Sequence, residues 1–295
     1  MEGMIEFCVL GSGSAGNAAL VRCGGAVLLI DAGLSARELR VRMEAVGVEP
    51  GGLSGVLLTH EHGDHVKGLA NFTKAHGVPV LATAMTRAVL GELVDGGKWR
   101  TIPCGGKFEF AGMGVETFAV PHDAVEPVGY VFSAGGVRLG VVSDLGHATR
   151  LVETRLAGVD ALFLEANYDP DLLAKDTKRP WSTRQRIAGR HGHLSNQQAA
   201  ELVVAAGVGR LQRVVLGHLS RDCNHPELAA AAVAGVVGGE GGVPVSCASQ
   251  GEPTPWYVVR AVEVREEERE EVVVGEESGE EAMGVPEAWL RGELF

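Results

Sequence analysis

The sequence lacks the features that mark membrane-spanning or disulfide-stapled proteins. Its longest apolar run, about residues 228–237, is roughly half of the about twenty residues that cross a hydrocarbon core. Its five cysteines are odd in number and show no CxxC spacing, which argues against a disulfide framework and a thiolate zinc site. The first residues carry neither a basic segment nor an apolar signal core. We therefore expect a cytoplasmic protein with no membrane partner.

Positive charge is also scarce, and the deficit is concentrated near the C-terminus. The net charge is −12, and residues 262–295 contribute −9 of it through twelve Glu and three Arg. Residues 1–261 carry 23 Lys and Arg against 26 Asp and Glu, so this part can still present a basic face to a polyanion. The sequence thus predicts a globular domain over 1–261 and an acidic, flexible extension over 262–295 whose apolar end can dock on a protein partner.

Short aliphatic runs between glycines or polar turns predict β-strands along most of the globular part. The runs 5–10, 18–22 and 26–30 follow one another closely, as strands of hairpins do. Later in the chain, strand runs such as 213–216 alternate with helical patterns such as 195–206. Hairpins followed by such alternation predict two sheets with helices packed outside them.

A glycine-rich loop, Gly11–Gly16, matches the GxGxxG pattern of dinucleotide-binding proteins and is followed about twenty residues later by Asp31. The match fails on its context, because a dinucleotide loop must open a helix whose N-terminus holds the pyrophosphate. Here the loop leads into residues 18–22, which are predicted to form a second strand. We therefore expect a Gly/Ser loop near the rim of an active site.

The most informative stretch is His60-Glu61-His62-Gly63-Asp64-His65, directly after the predicted strand 56–59. Four of these side chains are potential metal ligands, and three are imidazoles that are costly to bury without a binding partner. Histidine with carboxylate is the ligand set of hydrolytic divalent metals. A solvated polar loop is the alternative interpretation.

This stretch resembles the HxHxDH motif of the metallo-β-lactamase-fold hydrolases. The resemblance implies an α+β, four-layer αββα sandwich of two mixed β-sheets flanked by helices, with two divalent metal ions, Zn²⁺ or Mn²⁺, per chain. It also implies an acidic residue, here Asp31, that holds the motif loop without touching metal. His122, Asp144 and His218 each follow a strand run, in the order of the family's remaining ligands. The implied ligands are His60, His62 and His122 for the first metal, Asp64, His65 and His218 for the second, and Asp144 as the bridge, with Asp64 also counted as catalytic.

His193, in Gly192–Asn196, has no ligand role left once seven ligands are assigned. The nucleic-acid-processing branch of the family, which includes tRNase Z, carries an extra histidine before a helix and an upstream glutamate at a strand end. His193 and Glu165 match these two positions. A carboxylate can orient an imidazolium that donates a proton to a leaving ester oxygen. The alternative is that His193 only packs at the start of the helix.

Within this branch, the chain resembles the YycJ/WalJ type of bacterial hydrolase over about residues 4–261. The resemblance rests on the segments 10–17, 59–65, 121–124 with 129–130, 143–146, 192–196 and 216–220. It implies exonuclease action on double-stranded DNA from the 5′ end and a link to DNA repair. The acidic extension lies outside the resemblance.

The segment 175–190, called the basic segment below, joins Glu165 to His193 and holds six basic residues, one acid and Trp181. Basic side chains can neutralise backbone phosphates while an aromatic ring stacks on a base. An ordinary solvated loop is the alternative. The predicted substrate-binding residues are Lys178, Arg179, Trp181, Arg184, Arg186 and Arg190, together with Ser195 and Asn196 after His193.

The sequence therefore favours a dinuclear metal-dependent nuclease, with DNA as the expected nucleic-acid partner and a metal-activated water as the attacking group. Two other hypotheses stay open. The first is a phosphodiesterase for a small cyclic or nucleotide-like ester, and the second is a non-catalytic regulatory protein that retains the fold. The choice between zinc and manganese, between DNA and RNA, the polarity of cleavage and the oligomeric state also stay open at this point.

Overall fold

The computed structural model describes residues 4–91, 98–238 and 241–261. The predicted acidic extension, 262–295, lies outside the described residues. The strands are β1 Met4–Gly11, β2 Ala18–Cys23, β3 Ala26–Ile30, β4 Gly55–Leu57, β5 Val80–Ala82, β6 Trp99–Thr101, β7 Gly106–Phe110, β8 Met113–Ala119, β9 Val128–Ala134, β10 Val137–Val142, β11 Ala161–Glu165, β12 Arg213–Gly217, β13 Val245–Cys247 and β14 Tyr257–Arg260. The helices are α1 Ala36–Ala45, α2 Gly63–Val66, α3 Leu69–His76, α4 Ala84–Leu90, α5 Arg150–Leu156, α6 Pro170–Lys175, α7 Trp181–Ile187, α8 Asn196–Ala206 and α9 Pro226–Ala234, with short 3₁₀ turns at Pro50–Gly52 and Val208–Arg210.

The strands form two seven-stranded sheets of similar design. The first sheet has the order β14-β1-β2-β3-β4-β5-β6, and the second has the order β13-β12-β11-β10-β9-β8-β7. In the first sheet the pairs from β14 to β3 are antiparallel and those from β3 to β6 are parallel. In the second sheet the pairs from β7 to β10 are antiparallel and those from β10 to β13 are parallel. Both sheets are therefore mixed, as predicted.

Three apolar cores separate four layers. The central core is built from residues of both sheets, such as Phe7, Leu28, Phe132 and Leu139, which are fully or almost fully buried. A second core lies among the second sheet, α5, α8 and α9, and a third lies among the first sheet, α1 and α3. Since both faces of each sheet are covered, inner strands such as β11 read as continuous apolar runs. The predicted sandwich with outer helices is confirmed.

The sheet topology brings several strand ends to one edge of the sandwich. Strands β10, β11 and β12 are parallel, and β8 runs in the same direction because it is antiparallel to β9, which is antiparallel to β10. In open α/β sheets, ligands bind beyond the carboxyl ends of such strands. The residues that follow these strands are therefore the candidates for a functional site. None of the helices in the described ranges is long and apolar enough to cross a membrane.

Candidate metal centre

The structure brings all seven predicted ligands together at this edge. The side chains of His60, His62, His122 and Asp144 place one potential ligand atom each within 4.8 Å of one another. A second group with the same spacing consists of Asp64, His65, Asp144 and His218. Asp144 belongs to both groups, which is the arrangement expected of a bridging carboxylate. We call these seven residues the ligand cluster.

The backbone at the cluster is strained. Among the described residues, four that are not glycine have positive φ, and three of them are Asp31 at 58°, Asp144 at 40° and His218 at 53°. Left-handed conformations of this kind cost about 1–3 kcal/mol each and persist only where the surroundings fix them. All three residues directly follow a strand or lie within two residues of its end. The strained backbone conformations therefore occur at residues whose side chains lie at the ligand cluster or contact it.

Unpaired buried nitrogens show that the donor set fits a divalent cation. His60 Nε2 and His218 Nδ1 are buried and form no regular hydrogen bond among the described residues, although His218 Nδ1 lies against Asp144 Oδ1. His60 Nε2 nevertheless lies 3.3 Å from Asp144 Oδ2, and His65 Nε2 lies 2.8 Å from the same oxygen. Buried polar atoms without partners are costly, so convergence on one carboxylate calls for a ligand between them. Imidazole and carboxylate are the donors of Zn²⁺ and Mn²⁺ sites.

The electrostatics favour the metal-binding protonation states of His60, His122 and Asp144. Burial lowers the pKa of the His60 imidazole to about 4 and also lowers the pKa of His122, so both are neutral near pH 7. Burial alone would raise the pKa of Asp144, but the adjacent His218 and His65 imidazoles hold it well below its ordinary value. Metal ligands must be deprotonated to bind, and His60, His122 and Asp144 meet that condition. Burial alone would lower the pKa of His65, but Asp144 and Asp31 raise it well above its ordinary value, so His65 must lose a proton before it can bind metal.

Asp31 holds the motif loop, as the sequence predicts. Its Oδ1 accepts the Thr59 backbone N–H at 2.8 Å, and its Oδ2 accepts the Thr59 hydroxyl at 2.8 Å. The same Oδ2 lies 2.7 Å from His65 Nδ1, and Thr59 Oγ1 lies 2.9 Å from His60 Nδ1. Contacts of this kind fix the ring orientation of metal-binding histidines.

The glycine-rich loop and the following Asn17 support the metal centre through hydrogen bonds that the sequence motif did not predict. Ser12 and Asn17 are buried, and only Ser14 of this loop reaches the cavity described below. Ser12 Oγ accepts the His218 backbone N–H at 2.8 Å, and the Asn17 N–H donates to the Asp64 carbonyl oxygen at 2.8 Å. The loop and Asn17 therefore contact the backbone of both Asp64 and His218, which are distant in sequence. No sequence spacing predicts these two contacts.

Two further supporting residues were missed because each acts through a backbone atom. The Tyr130 hydroxyl donates to the Leu58 carbonyl oxygen at 2.5 Å, just before the motif loop. The Asn167 side chain donates to the His218 carbonyl oxygen at 2.7 Å. Both are buried in the fold. Their sequence signal is only a polar atom in an otherwise apolar context.

Glu165 and His193 form a pair beside Asp144. His193 Nδ1 lies 2.9 Å from Glu165 Oε2, and Glu165 Oε1 accepts the backbone N–H groups of Leu145 and Leu194 at 2.9 and 2.8 Å. Burial alone lowers the pKa of His193, but the Glu165 carboxylate overcomes this effect and raises it to about 9. His193 Nδ1 also lies 3.9 Å from Asp144 Oδ1. The pair stands where the sequence predicts, next to the ligand cluster.

A cavity of about 390 Å³ opens over the cluster. Its lining includes His62, Asp64, Asp144, His193 and His218, so ligands and the additional histidine face one space. The volume is within the range of about 300–1,000 Å³ that is usual for ligand pockets. A substrate in this cavity would contact the ligand cluster and His193 together.

Two of the six predicted substrate-binding residues of the basic segment, Arg179 and Arg186, line this cavity. The structure pairs them with one acid of the segment itself and two acids from other parts of the chain. Arg186 lies 2.7 Å from Asp123, and Arg179 lies 2.8 Å from Asp176 and 3.1 Å from Asp222. These partners reduce the positive charge that the sequence alone suggested.

The other four residues do not line the cavity. Lys178 Nζ lies 2.6 Å from Asp222, the Arg184 guanidinium donates to the Ala174 carbonyl oxygen at 2.8 Å, and Arg190 Nη2 lies 2.8 Å from His147 Nε2. Trp181 is 66% exposed. Contact of these four residues with a long ligand that extends beyond the cavity stays a prediction.

Ser195 and Asn196, which are predicted to contact substrate, make structural contacts at the start of helix α8. The Ser195 hydroxyl accepts the Gln198 backbone N–H and caps helix α8, a capping box that the Ser-x-x-Gln spacing could have announced. The Asn196 amide exchanges hydrogen bonds with Asn224 at 2.8 and 2.9 Å. Both residues are buried and neither lines the cavity over the ligand cluster, so their contact with substrate stays a prediction.

Comparison with known proteins agrees with this geometry. Residues 27–219 match the family model described as a β-lactamase superfamily domain. The chain is 33% identical over 241 residues to exodeoxyribonuclease YycJ of Bacillus anthracis, covering 79% of this chain and 89% of that protein. It is 32% identical over 234 residues to exodeoxyribonuclease WalJ of Streptococcus pneumoniae, covering 76% and 85%. Among solved structures, YhfI of Bacillus subtilis has a similar fold, with a TM-score of 0.68 at 17% identity over 86% of this chain and 99% of that one.

Proposed function

This chain belongs to the metallo-β-lactamase-fold hydrolases, and we propose that it is a divalent-metal-dependent nuclease, specifically a DNA exonuclease. One observation carries the proposal: two groups of potential ligands share Asp144, and His193, which is paired with Glu165, lines the cavity over them. Two relatives of similar length that are named exodeoxyribonucleases support DNA as the substrate. The finer proposal is attack from the 5′ end of double-stranded DNA, in the cytoplasm, in the service of DNA repair.

The ligand cluster would hold two ions, Zn²⁺ or Mn²⁺. His60, His62 and His122 would hold one ion, Asp64, His65 and His218 would hold the other, and Asp144 would serve both. When bound, such ions lower the pKa of a shared water and polarise the phosphoryl oxygens. The chain's own part is to keep Asp144 ionised and His60 and His122 neutral, as their shifted pKa values indicate.

His193 is proposed as the proton donor to the leaving ester oxygen. Its Nδ1 is engaged by Glu165, which leaves Nε2 for the substrate. Two backbone N–H groups also donate to Glu165, and a carboxylate beside an imidazole favours the protonated form of the ring. In the transfer, the Nε2–H bond breaks, the leaving oxygen gains the proton, and His193 becomes neutral.

A phosphodiesterase for a small ester is the second candidate, and one observation favours it. The lining arginines Arg179 and Arg186 are both paired with carboxylates, so they offer less charge to a polyanion than their number suggests. A substrate that fits the cavity alone would not need the rest of the basic segment.

Digestion of labelled nucleic acids decides between these candidates. The Mn²⁺- or Zn²⁺-loaded chain should release mononucleotides from linear duplex DNA labelled at the 5′ end and leave a covalently closed circle intact. A cut circle would contradict an exonuclease, and stronger action on RNA of the same sequence would contradict the DNA assignment. Hydrolysis of a nitrophenyl phosphodiester with no action on either polymer would favour the second candidate.

A further inference from the structure

A second cavity of about 300 Å³ adjoins the metal centre. Ser14 and Arg179 line both cavities, so the two are direct neighbours. The second cavity contains none of the seven ligands, and its remaining lining comes from Gly13, Ala15, Leu219, Arg221, Asp222 and Gln250. The second cavity therefore enlarges the candidate site but adds no further metal ligands.

One loop serves both cavities through alternate side chains. After strand β12, His218 and Ser220 line the cavity over the ligand cluster, whereas Leu219 and Arg221 line the second cavity. The loop thus places Arg221 three residues after His218, a proposed metal ligand. A ligand that reaches from one cavity to the other must pass along this loop.

The opposite wall is held rigid by a side chain near the C-terminal end of the described residues. Gln250 Oε1 accepts the Ala15 backbone N–H at 2.9 Å, and Gln250 Nε2 donates to the Gly16 carbonyl oxygen at 2.8 Å. Gly13 has φ +146°, and a Cβ there would lie 2.7 Å from Gln250 Oε1, so only glycine fits this close approach. The wall is therefore preformed, with the exposed Ser14 at the junction of the cavities.

Arg221 supplies the second cavity with a charge that the protein does not neutralise. It is exposed, and it makes no ion pair or hydrogen bond with any residue in the described ranges. Asp222, which also lines the cavity, is already engaged by Lys178 at 2.6 Å and by Arg179 at 3.1 Å. The three cations Lys178, Arg179 and Arg221 thus outnumber Asp176 and Asp222, leaving one positive charge at the cavity.

We propose that this second cavity binds the phosphate next to the scissile one, with Arg221 as its recognition residue. Consecutive phosphates of a strand are separated by one nucleoside, so a polynucleotide bound over the metals must place its neighbouring phosphate in an adjacent space. A guanidinium recognises phosphate through paired, charge-assisted hydrogen bonds. The inference rests on the proposed function, since it adds a subsite for the same substrate.

Calorimetric binding of nucleotides tests the subsite without requiring turnover. The probes are thymidine 3′,5′-bisphosphate, thymidine 5′-monophosphate and thymidine 3′-monophosphate, titrated into the metal-loaded chain at fixed ionic strength. The bisphosphate should bind about tenfold more tightly than either monophosphate, because a charge-assisted contact at a solvent-exposed site is worth roughly that factor. Arg221→Ala should reduce this preference to less than about twofold, and Arg221→Lys should keep part of it.

The control variant is Lys74→Ala, which removes an exposed cation from helix α3, outside both cavities. It should leave the bisphosphate preference unchanged. Hydrolysis of bis(p-nitrophenyl) phosphate by Lys74→Ala should also equal that by the unmodified chain, since Lys74 lies outside both cavities.

Equal binding of the bisphosphate and the monophosphates by the unmodified chain would overturn the subsite. An Arg221→Ala variant that retained the full preference would also overturn it. If the chain left DNA intact but still showed a bisphosphate preference that Arg221→Ala removes, the nuclease proposal would fail and the second phosphate site would stand.

Discussion

The ligand cluster and the basic segment face the same cavity but are built in opposite ways. The cluster side chains follow strand ends of both sheets, most are buried, and each is fixed by further contacts such as those of Asp31 and Thr59. The basic segment is a short helix with flanking loops, has no buried residue in helix α7, and is held by exposed ion pairs. Buried and fixed groups suit chemistry, whereas exposed ion pairs each contribute little and exchange readily with a ligand's charges.

The largest expected effect comes from the residue shared by both halves of the cluster. Asp144→Asn should lower hydrolysis of every phosphodiester by more than about a hundredfold. Changes in outer-shell contacts cost up to about that factor, and the loss of a direct ligand should cost more. At least one metal ion per chain should also be lost, as measured by elemental analysis, while circular dichroism stays native. Full metal content with near-normal activity would remove Asp144 from the centre.

His193→Ala separates the proton donor from the metal ligands. Turnover of DNA should fall by about two to four orders of magnitude with metal content unchanged. A nitrophenyl diester, whose leaving group needs no proton, should recover much of the loss. Equal losses on both substrates, or loss of metal, would give His193 a structural or ligand role instead.

Asp31→Asn tests whether support from outside the cluster matters. The amide cannot accept hydrogen bonds through its nitrogen, so it would lose one of its contacts with Thr59 or His65. Metal affinity should fall by about 10–100-fold, measured by competition with a chelator. Unchanged affinity would show that the motif loop holds its shape without this contact.

The smallest effect is expected in the basic segment. Arg184→Ala combined with Arg186→Ala should weaken DNA binding a fewfold and flatten its salt dependence by up to about one to two units of log–log slope. Small-ester hydrolysis should persist, since neither residue belongs to the ligand cluster. The opposite outcome would be an unchanged salt dependence of DNA binding together with loss of small-ester hydrolysis. It would show that the basic segment belongs to the catalytic centre and does not differ from the ligand cluster in role.

The same contrast explains what the sequence could predict. The motif 60–65 is contiguous, and His122, Asp144 and His218 each come at the end of a readable strand, so the position of the cluster followed from local patterns. The pairing of the basic segment with Asp123 and Asp222 depends on loops that meet only in the folded chain. The supporting contacts of Ser12 and Asn17 were missed for the same reason, and the sequence analysis also missed that the Ser195 hydroxyl caps helix α8.

The origin of the ligands in both sheets has a consequence for the stability of the chain. His60, His62, Asp64 and His65 come from the loop after β4 in the first sheet, and the other three ligands follow strands of the second. Bound ions would act as reversible cross-links between the two sheets, available only to the folded state. By mass action, folding would then become more favourable as the free metal concentration rises above the dissociation constant. Metal supply would govern resistance to thermal unfolding and proteolysis as well as catalytic capacity.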